Sequence, residues 1–144
     1  MRNAIALAAA ALLAGCSAAS PAPRGWQAVP GTSGAWTTGS GSTHQEYYYT
    51  KTAFGGGLQD LASRITIDAL MRNRGARLQG SLPFGPCPGA AGVATFRLYA
   101  GATMQVGFAV RNGQAIQIRY LRPTGTGVDP AAAAAMQTTL CSLQ

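Results

Sequence analysis

Apolar and polar side chains alternate almost residue by residue through the second half of this chain. Phe96 and Leu98 recur within 93–100, Met104, Val106, Phe108 and Val110 within 103–110, and Ile116, Ile118 and Tyr120 within 114–121. Thr95, Arg97, Gln105, Gln117 and Arg119 fill the intervening positions. A period of two predicts three neighbouring strands with one face in a core and the other in water. Upstream, EYYYTKTAF has the aromatic and β-branched content of a strand, with Tyr47 and Tyr49 on one face and Tyr48 on the other. Gly55, Gly56 and Gly57 stop it. From Leu58 the spacing changes to that of a helix, through Leu61, Ala62, Ile65 and Ala69. Arg72 and Arg74 suit its last turn and Gly75 its left-handed cap. Asp68 stands four residues from both Arg64 and Arg72, so the helix arginines read as a solvated face.

Turn chemistry then fixes a register. On a sheet with a single buried face, a two-residue Asn112-Gly113 hairpin would set Phe108 beside Gln117 and divide the core. A three-residue loop at 111–113 is therefore expected, pairing Val110 with Gln114, Phe108 with Ile116 and Val106 with Ile118. Ala100-Gly101-Ala102 is expected to join the preceding pair, with Leu98 opposite Met104. A strand at 76–82 leads to the proline-punctuated loop PFGPCPG, and GTSGAWTTGSGS at 31–42 reads as a loop around Trp36. At the C-terminal end Asp129 is a natural N-cap and Pro130 a natural first helical residue. The helix they open carries Met136, Leu140 and Leu143 on one face. These elements make an α+β fold, an antiparallel meander with two helices packed on it in a single small domain. In element order over 45–143 it is similar to the PsbP-like fold, in which two helices flank an antiparallel sheet.

The first residues carry an address. Arg2 precedes the apolar stretch 4–14, too short to cross a bilayer of about 30 Å but right for an export signal. The stretch ends on Leu13-Ala14-Gly15-Cys16, which resembles the lipobox of bacterial lipoproteins. The resemblance implies cleavage after Gly15 and acylation of Cys16, so that the mature chain begins on a lipidated cysteine held in a bilayer. Three segments follow: a signal peptide at 1–15, the lipidated cysteine with a flexible proline-broken tether at 16–25, and a globular domain at 26–144. Ser17 stands where an aspartate resembles an inner-membrane retention signal, which favours the outer membrane, with the domain in the periplasm or at the cell surface. With Cys16 acylated, Cys87 and Cys141 are left in an oxidising compartment and have one possible disulfide between them. The alternatives are free buried thiols or a metal site, for which no histidine lies near either cysteine.

Charge and chemistry narrow the function classes. The net charge of +7 falls to +6 once Arg2 leaves with the signal, and Glu46, Asp60, Asp68 and Asp129 are the only acids. Lys51 is the sole lysine and long Lys/Arg runs are absent, so nucleic acid is not an expected partner. His44 is the only histidine; with Glu46 two residues on, it supports one enzymatic alternative, an envelope hydrolase built on that pair and a hydroxyl. No paired carboxylates, metal set or phosphate loop is recognisable, and no cofactor is implied. Binding is the favoured class. Trp26, Trp36, Tyr47, Tyr48 and Tyr49 offer aromatic contact area, while Arg97 and Arg119, with Arg77 nearby, offer attraction for an envelope protein or an anionic envelope polymer. The expectation is a non-enzymatic, membrane-anchored binding or assembly module. A purely structural surface component is the other alternative.

Overall fold

The structure, a computed structural model, describes residues 21–142. Cys16, the lipobox and Leu143 lie outside the described residues. Seven strands, β1 (Gln27–Ala28), β2 (Ala35–Thr38), β3 (Gln45–Ala53), β4 (Arg77–Pro83), β5 (Ala91–Arg97), β6 (Ala102–Arg111) and β7 (Gln114–Pro123), form one sheet. Every pairing is antiparallel and the order is β1-β2-β3-β7-β6-β5-β4. Helix α1 (Leu58–Arg72) carries the chain from β3 to the far edge at β4, and α2 (Pro130–Cys141) follows β7. The α+β expectation holds.

The helices lie on opposite faces, and this overturns the assumption of one buried and one wet face. Leu61, Ile65 and Ala69 of α1 pack with Ala94, Phe96, Met104, Val106, Phe108 and Ala115. Ala132, Met136 and Leu140 of α2 pack with Tyr47, Ala91, Ala109, Ile116, Ile118 and Tyr120. Strand β6 sends alternate residues into each cluster, so both of its phases are buried. On the α2 face the phase needs a glycine: a Cβ on Gly107 would lie 2.7 Å from Leu140 and 3.1 Å from the Met136 sulfur. The bare backbone lets α2 sit close to the sheet.

Two cores also explain why the expected registers fail. Asn112 and Gly113 both take positive φ, 50° and 70°, forming the two-residue turn that this dipeptide favours. Val110 therefore pairs with Ala115, Phe108 with Gln117 and Val106 with Arg119. Phe108 and Val106 belong to the α1 core while Ile116 and Ile118 belong to the α2 core, so nothing is divided that should be joined. Between β5 and β6 the loop is 99–101, closed by the Leu98 N–H donating to Ala102 (2.8 Å), with Gly101 at a φ of 80° in its last position. Phe96, not Leu98, faces Met104, a shift of two residues that leaves the face unchanged.

The 31–42 segment contains strand β2, which the glycine and serine content hides. Trp36 pairs with Tyr47, and β1 extends the edge by two residues. Folded structure also begins before Trp26: Pro23 is fully buried, so the end of the expected tether packs into the domain. The start of α2 follows the expectation, whereas α1 stops at Arg72 with Asn73 as its cap, so Arg74 and Gly75 lie beyond the helix rather than in its last turn and cap. Asp129 accepts from the N–H groups of Ala131 (2.9 Å) and Ala132 (3.2 Å), and the Gly57 N–H donates to Asp60 (3.0 Å) at the start of α1. Cys87 and Cys141 form a disulfide with their Cα atoms 5.6 Å apart, pinning the end of α2 to the loop after β4.

Candidate functional site

Helix α1 packs mainly on β4, β5 and β6 and reaches β7 at Ala115, and beside it Gln117 and Arg119 on the same face of β7 are only partly covered. A recess opens along this boundary. Its apolar wall is Ile65, Ala69, Met104 and Val106, and its polar lining is Asp68, Arg72, Asn73, Gln117 and Arg119. Asp68 and Arg72 satisfy one another, with the Arg72 Nε donating to Asp68 Oδ1 at 2.7 Å. The Asn73 amide donates to the Ala69 carbonyl (2.9 Å) and closes the helix.

Arg119 is held differently. Its guanidinium carbon lies 4.9 Å from the centroid of the Tyr48 ring, directly across the β3–β7 ladder. The Tyr48 hydroxyl donates to Glu46 Oε1 (2.8 Å), which fixes the ring that supports the arginine. Burial first, then the bond to Glu46, push the Tyr48 phenol up from its ordinary range, while Arg119 pulls the other way. Tyr48 therefore stays neutral at neutral pH. A planar cation stacked on a ring keeps its edge donors for a second partner. Beside it the Gln117 amide makes no hydrogen bond to another described residue, so this recess combines a charged fork with a free amide.

The other expected ligand residues lie elsewhere. Trp26, Trp36, Tyr47 and Tyr49 all belong to the α2 face. Tyr47 is 0% exposed and has no surface to offer a ligand; it is a core residue. Trp26 meets Tyr47 and Tyr120 with ring centroids 6.1 Å apart in each case, Trp36 meets Tyr47 at 6.2 Å, and Tyr49 is half-buried against the same cluster. Tyr120, in this cluster, meets the N-terminal end of α2, where the Asp129 N–H donates to its hydroxyl (3.0 Å) and that hydroxyl also bonds Gln45. Arg97 and Arg119 do not share a face. The register sets Arg119 beside Val106 on the α1 side and Arg97 beside Thr103 on the α2 side.

His44 is exposed, with Nε2 3.8 Å from Glu46 Oε1. The hydroxyl at this pair is the Tyr48 phenol, donating to Glu46, and no serine or threonine hydroxyl bonds the imidazole among the described residues. No group of three or more potential metal ligands occurs among the described residues either. Sequence reasoning named Arg119, and Tyr48 among the aromatic candidates without joining the two, but missed Gln117 and Asn73. Gln117 was within reach, since it stands two residues from Arg119 on one strand; Tyr48 needed the β3–β7 register.

The Tyr47 hydroxyl is buried beside Thr139 without a hydrogen bond of good geometry, and burial raises its pKa well above the usual phenol range. Tyr120 is raised as well, chiefly by burial. A phenol whose pKa rises on folding contributes stability that is complete below the unfolded value near 10 and is lost as pH climbs toward the folded value. Urea midpoints measured from pH 8 to 11 are expected to be level at first and then fall. Tyr47→Phe is expected to gain about 1 kcal/mol at neutral pH by removing an unsatisfied buried hydroxyl, and to shrink the alkaline loss. A loss of stability in that variant would show that Thr139 bonds the phenol productively. No family model matches the chain, and no curated protein or solved structure matches it.

Proposed function

We propose that this chain is a lipid-anchored lipoprotein of the bacterial envelope acting as a non-enzymatic binding module. Its ligand surface is the recess between α1 and the β3–β7 strands. The observation that carries the reading is Arg119, stacked on Tyr48 at the mouth of the recess and bonded to no carboxylate among the described residues. One guanidinium beside the Gln117 and Asn73 amides suits a carboxylate next to amide groups, the chemistry of an anionic, peptide-bearing envelope polymer. Lipidation at Cys16 would keep the module at its ligand.

Purified cell-wall sacculi, which carry peptide carboxylates, provide the probe. Cosedimentation with them is expected to weaken about tenfold in Arg119→Gln, the effect of one charge-assisted hydrogen bond of about 1.5 kcal/mol. Equal binding by the variant would remove the recess as the site. The anchor has a separate test. Cys16→Ser is expected to move the protein from the membrane fraction to the soluble envelope fraction, and continued membrane association would contradict lipidation.

A further inference from the structure

The opposite face of the sheet carries a second group of cations. Arg77 on β4 pairs directly with Arg97 on β5, Arg97 pairs with Thr103 on β6, and Thr103 pairs with Arg122 on β7. Four adjacent strands thus set three arginines in one row about 14 Å long, on the face that carries α2. Arg122 is fixed in place: its Nη1 donates to Gln105 Oε1 (2.7 Å) and its Nε to the Thr126 carbonyl (3.0 Å). Arg77 and Arg97 are exposed and make no hydrogen bond, ion pair or ring contact with another described residue. Like charges directly opposite on neighbouring strands destabilise a sheet, and no carboxylate of a described residue offsets them. Of the four acids, Asp68 is tied to Arg72, Glu46 lies on the far face, and Asp60 and Asp129 cap the helices.

We propose that Arg77 and Arg97, with Arg122 completing the row, form a binding site for a phosphate group, distinct from the Arg119 recess and independent of it. Two facing guanidinium forks present more donors than one carboxylate can accept, and a phosphate with several anionic oxygens can engage both. The phosphate can belong to a lipid headgroup or to a soluble phosphate ester. The chain enters the domain on this same face, where Trp26 packs against Tyr120, so a chain anchored at its N-terminus carries the row on its entry side.

The mature chain bearing Cys16→Ser, which leaves attraction to the surface as the only hold on a bilayer, is suitable for the test. Flotation with phosphatidylglycerol vesicles is compared with phosphatidylcholine vesicles, and arginine Nε resonances are followed during titration with inorganic phosphate. A lipid source predicts that Arg77→Gln with Arg97→Gln weakens phosphatidylglycerol binding about 25-fold, about fivefold for each arginine, whereas Lys51→Gln costs no more than about fivefold. A soluble source predicts saturable phosphate shifts at Arg77 and Arg97 that the double variant abolishes, with vesicle binding changed no more than by Lys51→Gln. The proposal is overturned if the double variant matches Lys51→Gln on vesicles and phosphate moves neither arginine selectively. Removal of two like charges from exposed positions should leave the melting temperature level or higher, so loss of fold does not obscure the outcome.

Discussion

Replacing both Cys87 and Cys141 with serine is expected to cost about 4 kcal/mol of folding free energy. The bond spans 54 residues, long enough that its release frees much of the unfolded chain. Its place in the fold makes the loss local as well. Helix α2 carries five alanines in its 12 residues, and its buried residues are Ala132, Met136 and Leu140. A helix with so little apolar side chain has few other ties to the sheet. At the same end as the disulfide Arg111 reaches the Thr139 carbonyl (3.2 Å), and the loop at Cys87 is shaped by its own turn, with the Cys87 N–H donating to Phe84 at 3.0 Å. Urea titration should therefore show a large drop in midpoint. Hydrogen exchange should quicken first in α2 while amides around Phe96 stay protected. An unchanged midpoint would mean that α2 is held by its packing alone.

Phe96→Ala is expected to cost about 3–5 kcal/mol, because the ring is fully buried in the α1 core and its removal leaves a cavity there. Leu140→Ala, on the other side of the sheet, is expected to cost about 2–5 kcal/mol. The pair is informative together. The two side chains belong to separate clusters on opposite faces, so their costs should add to within about 0.5 kcal/mol. A coupling above about 1 kcal/mol would show the two layers behaving as a single core.

The local signals in the sequence were strong where one rule acted alone. The Asp129-Pro130 helix start, the helical spacing from Leu58 and the period-two strands all appear in the fold within a few residues of their expected limits. The hairpin register was not legible, because it depended on how many faces are buried, and alternation cannot count layers. Ala115, Ala109 and Gly107 are small enough to look neutral in the pattern, yet they lie under helices and make the second core possible. Once both faces are covered, Asn112-Gly113 can take the turn its chemistry prefers. Strand β2 was concealed for a similar reason: its Thr37 and Thr38 are half-buried at an edge, and Trp36 finds its partner, Tyr47, only through pairing.

The site followed the same logic. Charge type was visible at Arg97 and Arg119, but the face each occupies depends on the register, and the register separates them. The aromatic residues were conspicuous in the sequence and proved to be packing around α2, as a small domain with few large side chains requires. What distinguishes Arg119 is a neighbour on another strand, Tyr48, which only the pairing supplies.

The central claim is that Arg119 and the amides beside it form the ligand surface. Its most direct test is chemical-shift mapping of the isotope-labelled Cys16→Ser chain during addition of soluble, carboxylate-bearing cell-wall peptide fragments. The predicted result is saturable shifts at the Arg119 Nε and at the Gln117 and Asn73 side-chain amides, with Trp26 and Trp36 unmoved. Shifts confined to the α2 face, or none at Arg119 at saturating fragment, would contradict it.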